Sequence, residues 1–233
     1  MGVLMTTKKT KGEIITEHFK GLNSLFRDLQ LNQNGDDRFI VSGNLSFTCS
    51  HNGKTIKDDY DIEILIPQNY PQNPPIVKEI GNKIPKIKDN HINPADETLC
   101  LGAPLAVKRT FSQQRNLLWF VREQVVRFFF SHSYKRDFGT APYGELHHEE
   151  QGLIEYYSDL FSVKDVSVML KLLFILCDHS NNEHALCPCL SGQKLKKCHL
   201  RIFKKIRKLQ SPNDFRKEYQ IIIGYLEREG GEW

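Results

Sequence analysis

A chain of 233 residues with 39% apolar and 26% charged side chains can build a large core, which sets aside the collagenous, low-complexity and disordered classes. Its longest apolar run, Val166 to Cys177, is interrupted by Lys171 and falls short of the ~20 residues that cross a bilayer, so no membrane partner is expected. The formal charge of +4 is lopsided: residues 179–233 carry eleven Lys/Arg against six Asp/Glu, a net of +5, which leaves residues 1–178 at −1.

Met1 to Lys11 is polar, unlike a secretory leader, and a reducing cytoplasmic setting is expected. The six cysteines (Cys49, Cys100, Cys177, Cys187, Cys189, Cys198) then point to thiol chemistry or metal binding rather than to disulfides. Over residues 12–30, Ile14, Ile15, Phe19, Leu22, Leu25, Phe26 and Leu29 form a helical stripe that ends near Asn34-Gly35. Phe39, Val41, Leu45, Phe47 and Cys49 then alternate, with Gly43 on the same face. After the Asn52-Gly53 turn signal, Tyr60, Ile62, Ile64 and Ile66 alternate likewise, so two antiparallel strands are expected. Cys49 reads as core.

Tyr70-Pro71-Gln72-Asn73-Pro74-Pro75 is a rigid crossing, because its prolines cannot sit inside a helix or a paired central strand. A short strand begins at Ile76-Val77. Further on, Leu99-Cys100-Leu101 follows the polar run Pro94 to Thr98, so a thiol is held on a fixed wall beside a wet loop, a plausible place for a nucleophile. Gly102-Ala103-Pro104 breaks the chain, and a helix is expected over Gln113–Phe130, with Leu117, Leu118, Val121, Val125, Phe128 and Phe129 inward. A loop over Ser131–Gly144 precedes a helix over Glu145–Phe161. Ser162-Val163-Lys164-Asp165 reads as a capping box opening a helix through Leu176. Asp178–Glu183 is the best linker, dividing residues 1–178 from 179–233.

In the second part, Cys187 and Cys189, then eight residues, then Cys198-His199 can supply three thiolates and an imidazole to one tetrahedral Zn2+. Four protein ligands leave no open position, so the zinc is expected to be structural. Lys194, Lys196, Lys197, Arg201, Lys204, Lys205, Arg207 and Lys208 surround it, and a closing helix is expected over 213–228. This basic tail suits an acidic protein partner better than nucleic acid, because Phe203 and Phe215 are its few aromatics able to stack on bases. No phosphate-cradling glycine loop and no dinucleotide fingerprint occurs.

A helix, a meander, Tyr70-Pro71-x-x-Pro74-Pro75, His91-Ile92-Asn93 and Leu99-Cys100-Leu101 occur in the order of the ubiquitin-conjugating family, which residues ~12–130 resemble. The resemblance implies an α+β ubiquitin-conjugating-like fold and acyl transfer. Cys100 would carry the C-terminus of a modifier as a thioester until an amine attacks it. Asn93 would aid the oxyanion, and His91 would brace the loop by hydrogen bonds. Ile92 replaces the family's proline, Asn93 stands one residue closer to the cysteine than in the eukaryotic enzymes, and Gly102 stands where those often carry an acid. Asp96 and Glu97 are left either to orient the amine or to form a solvated loop.

Residues 131–161, with Tyr143-Gly144-Glu145-Leu146-His147-His148, look like bacterial relatives encoded in antiphage operons, notably cyclic-oligonucleotide signalling systems; His147 or His148 could line the groove. The implied partners are an activating enzyme and a ubiquitin-like modifier, or another protein with a reactive C-terminus such as a cyclic nucleotide synthase. The alternative is a catalytically silent scaffold recruited through its zinc-binding basic tail. That tail resembles the SEC-C motif, with Leu190 in place of the usual glycine and Leu195 in place of the usual aromatic.

Overall fold

The computed structural model describes residues 9–35, 38–143, 149–178 and 182–230, in an α+β architecture. The chain divides into two compact units, residues 1–101 with 113–144, and residues 102–112 with 145–233. This differs from a division at 178/179. The physical reason is a shared core: Leu153, Tyr157, Phe161, Met169 and Leu173 are buried in one cluster with Leu195, Phe203 and Phe215.

In the first unit, Thr10 and Glu13 form a reciprocal capping box that opens α1 (Lys11–Leu25). The helix stops earlier than its apolar stripe suggests, because Leu29 belongs to a strand. Strands β1 (Leu29–Asn34), β2 (Arg38–His51), β3 (Lys54–Ile66) and β4 (Ile76–Glu79) form one antiparallel sheet in sequence order. Gly43 has φ +137°, and a Cβ there would lie 2.1 Å from the Asp28 carbonyl oxygen, so only glycine lets β1 enter beside β2. The inward faces of β2 and β3 are those expected: Phe39, Val41, Leu45, Phe47, Tyr60, Ile62, Ile64 and Ile66 are all buried.

Helix α3 (Leu117–Phe120), a π-helical turn (Val121–Val125) and α4 (Val126–Phe138) follow one another without a break. The helix thus continues through residues expected to be loop. Tyr134 is buried and Ser133 bonds to the strands, so tertiary contacts outweigh the polar sequence of this last turn. Tyr60 of β3 stacks on Phe129 of α4 with centroids 4.3 Å apart.

The second unit is helical: α2 (Pro104–Phe111), α5 (Glu149–Phe161), α6 (Val166–Leu176), α7 (Leu200–Ile206) and α8 (Pro212–Arg228). Pro104 starts α2 rather than merely breaking the chain, since a first-turn residue needs no N–H partner. Asp165, not Ser162, caps α6 by accepting from the Val168 N–H at 3.1 Å. At the other end of α6, Arg207 donates to the Ile175 and Asp178 carbonyls and Arg216 to that of Cys177. These arginines satisfy acceptors that the helix leaves open. Among the described residues no helix is long and apolar enough to cross a membrane.

Candidate active site and zinc centre

The Tyr70 of the proline crossing is buried, and its hydroxyl lies 2.6 Å from His18 Nδ1 on α1. Burial pushes the Tyr70 hydroxyl up and holds His18 below its usual range, so both groups favour their neutral forms across this hydrogen bond. The Tyr70–Pro71 peptide is cis. Nothing local marks His18 in the sequence, because the contact joins residues 52 positions apart.

The cysteine sits on a small hairpin. Ile92 and Leu99 form an antiparallel bridge, with the Asn93 N–H donating to Thr98 O at 2.9 Å and the Cys100 N–H to His91 O at 2.8 Å. Side chains alternate across such a pair. Ile92 and Leu99 therefore share one face, and both are buried. Asn93, Thr98 and Cys100 fall on the other, and Cys100, His91 and Asn93 are half-buried. The hairpin is joined to the sheet, because Thr98 bridges Lys78 and the Leu99 N–H donates to Val77 O at 2.8 Å. Ile92 is thus a buried bridge residue. His91 itself adopts φ +54°, and its carbonyl holds the cysteine's N–H.

Asn93 Nδ2 donates to Thr98 Oγ1 at 2.7 Å, and Thr98 Oγ1 donates in turn to Asp96 Oδ1 at 2.7 Å. Asp96 also accepts the Thr98 N–H at 3.1 Å. Glu97 pairs with Lys86 at 2.9 Å. Both acids of the loop are therefore engaged by their own neighbours. Gly102 has φ +120°, a conformation that an aspartate or glutamate would adopt only under strain. His147 and His148 lie outside the described residues. Cys49 is half-buried on β2, and burial raises its thiol, as suits core packing.

In the second unit, Cys187, Cys189, Cys198 and His199 bring their ligand atoms within 4.8 Å of one another. Cys187 Sγ lies 3.2 Å and Cys198 Sγ 3.1 Å from His199 Nδ1, and Cys189 Sγ lies 3.4 Å from Cys198 Sγ. Thiolates about 2.3 Å from one tetrahedral zinc stand about 3.7 Å apart, so this set fits the ion after small adjustments. His199 Nε2 lies 2.9 Å from Phe161 O, which fixes its proton there and leaves Nδ1 to the metal. Burial pushes the Cys187 thiol up to about 12. At Cys189 burial acts the same way but is outweighed by hydrogen bonds from Ser191 and the other two thiols, which hold it down to about 6. The cluster is positioned to bind a structural Zn2+. Leu195, in the aromatic's place, is buried against the same core. Gly192 has φ +71°, and Leu190 is held at φ +62°.

Residues 185–201 match the model of the SEC-C motif. Comparison with curated proteins gives no match. Phe203 and Phe215, the tail's two phenylalanines, are fully buried and unable to stack on a base. Of the eight basic residues around the cluster seven are exposed, whereas Arg207 is half-buried and bonds to the Ile175 and Asp178 carbonyls.

Proposed function

We propose that this chain is an acyl transferase of ubiquitin-conjugating type. In this reading Cys100 carries the C-terminal carboxyl of a partner protein as a thioester, Asn93 donates to the oxyanion during aminolysis, and His91 braces the loop. The observation that carries the reading is the hairpin: its apolar face is anchored beside β4, Asn93 and Cys100 fall on the opposite face, and the His91 carbonyl holds the Cys100 N–H. A half-buried thiol on a fixed backbone, with an amide donor on the same face of the hairpin, suits thioester chemistry.

The sequence carries no phosphate-cradling glycine loop, so in this reading the acyl group arrives activated by an enzyme partner. The modifier is a ubiquitin-like protein or another chain with a reactive C-terminus, a cyclic nucleotide synthase being the one that the antiphage resemblance implies. The basic zinc tail docks an acidic protein. The burial of Phe203 and Phe215 supports that choice over nucleic acid, as does the exposure of Leu186 and Leu190, 70% and 82%, beside the lysines. The setting is cytoplasmic antiphage defence.

The test is to incubate the full chain with ATP, the activating enzyme and the modifier, and to run a non-reducing gel. A thiol-labile adduct that disappears in Cys100→Ala is expected. No adduct, or one that survives Cys100→Ala, overturns the reading. One observation favours a silent scaffold instead: one of the two Asn93 amide N–H groups is already committed to Thr98 Oγ1. Full biological activity of Cys100→Ala would establish that second reading.

A further inference from the structure

We propose that Thr98 and Asp96 are positioning residues that fix the orientation of the Asn93 amide, so that Thr98 takes one of its N–H groups and the other is left for the oxyanion. This rests on the acyl-transfer reading above. The argument follows the direction of the hydrogen bonds. An ionised carboxylate only accepts, and a threonine hydroxyl has one proton to give. Asp96 Oδ1 takes that proton at 2.7 Å and the Thr98 N–H at 3.1 Å. The hydroxyl bond first, with the backbone bond and the positive charge of Lys78 adding to it, holds the Asp96 carboxyl below its usual range, so it stays ionised at neutral pH.

With its proton committed, Thr98 Oγ1 presents only lone pairs towards Asn93. The group facing it at 2.7 Å must be Nδ2, because a flipped amide would set Oδ1 against an oxygen with nothing to donate. The backbone admits little escape. Asn93 donates its N–H to Thr98 O, and its own carbonyl accepts the Glu97 N–H at 2.8 Å. Thr98 is buried, so water does not compete for the hydroxyl.

The consequence lies in the transfer step. The lone pair of a neutral amine adds to the thioester carbonyl carbon, forming the C–N bond and moving the π pair onto oxygen. The nitrogen gives its surplus proton to water. Collapse re-forms C=O, breaks C–S and expels the Cys100 sulfur as thiolate. Negative charge is greatest on the oxygen between addition and collapse, and a donor already oriented needs no reorganisation at that moment. An amide free to flip would present Oδ1 half the time and lose part of that benefit.

Two measurements test this. In the free protein, NMR should find one Asn93 Nδ2 proton exchanging slowly with water, and Thr98→Val should abolish the difference between the two protons. For chemistry, Cys100 is charged by exchange with a glycine-terminated peptide thioester, the site is confirmed by mass spectrometry, and single-turnover discharge to free lysine is followed. The extent of charging at equilibrium should stay within about twofold across the variants, while discharge should fall ~10-fold in Thr98→Val and recover in Thr98→Ser. Asp96→Ala, at an exposed position, should lower discharge in the same direction and serves if the valine variant does not fold. Wild-type discharge in Thr98→Val and Asp96→Ala, or a serine variant no better than valine, overturns the positioning role and leaves the acyl-transfer reading standing. Failure of wild-type Cys100 to take up any acyl group overturns both.

Discussion

Leu190 occupies the left-handed backbone region at φ +62° with its side chain 82% exposed, so it bears the steric cost of that region and gains no burial in return. An L-residue there costs about 1 kcal/mol relative to glycine. Leu190→Gly should therefore raise stability by about 0.5–1 kcal/mol, after allowing for glycine's greater freedom in the unfolded chain, as read from a thermal melt of the zinc-loaded protein. Asp58 is the opposite case. Burial would raise its carboxyl, but hydrogen bonds from Lys83, from Ser133 at 2.7 Å, from the Asp59 N–H and from Arg136 at 2.9 Å outweigh it and hold it far below the usual carboxylate range. A depressed carboxyl contributes stability that is complete above its unfolded value of about 4 and is lost as pH falls below it. Asp58→Asn should cost about 1–3 kcal/mol at pH 7 and flatten the acid limb of a urea-midpoint profile. Neither role was readable beforehand for Asp58, whose partners come from 25, 75 and 78 positions away. Leu190 was readable, since a leucine stood where a turn wants glycine. Thr98 was not, because its hydroxyl matters only once the hairpin pairs it with Asn93.

Among the elements, the alternating faces of β2 and of the second half of β3 were legible, because an apolar face repeated every second position has one satisfactory burial, whereas the polar start of β3 at Lys54 was not. Edge strand β1 was not. Its sequence Leu-Gln-Leu-Asn-Gln-Asn buries little, and Leu29 also falls on the helical period of α1. Helices α2 and α7 are short and were missed for a similar reason: eight and seven residues give a periodicity too brief to read. What holds α5 to α8 was equally hidden. Glu218 is buried, accepts from Gln210 Nε2 at 2.9 Å and from the Tyr157 hydroxyl, and has Lys108 and Asp214 as its charged neighbours. Burial, above all, raises its carboxyl. A raised carboxyl favours folding fully below its unfolded value of about 4.3 and loses that contribution as pH rises through the folded value. Glu218→Gln keeps an acceptor for Tyr157 without the charge. It should melt above wild type at pH 7.5 and close to it at pH 4, and the reverse order would show the carboxylate to be stabilised by Lys108 instead.

On the scale of the whole molecule, the zinc knuckle was the most legible feature and the division of the chain the least. Ligand spacing is written in contiguous sequence, whereas the second unit is assembled from residues 102–112 and 145–233. No linker composition announces that assembly. It places Leu105 of α2, Leu153 and Tyr157 of α5 and Leu173 of α6 in one cluster with Cys187, Leu195 and Phe203. The metal therefore does more than fold a short appendage, because His199 is tied to Phe161 O at the end of α5 and Cys187 is buried in the common core. Structural zinc supplies on the order of 10–16 kcal/mol of apparent binding free energy, comparable to or above the total stability of a domain this size. Chelation at neutral pH should thus release helices α5 to α8 together, not the knuckle alone, and acid should mimic it as protons displace the ion from the thiolates. Hydrogen exchange read by mass spectrometry checks this directly. Peptides spanning 149–176 and 200–228 should lose protection on treatment with a zinc chelator, while β2 and β3 keep theirs. If exposure stops at residues 185–201, the metal is a local clip and the shared core stands without it.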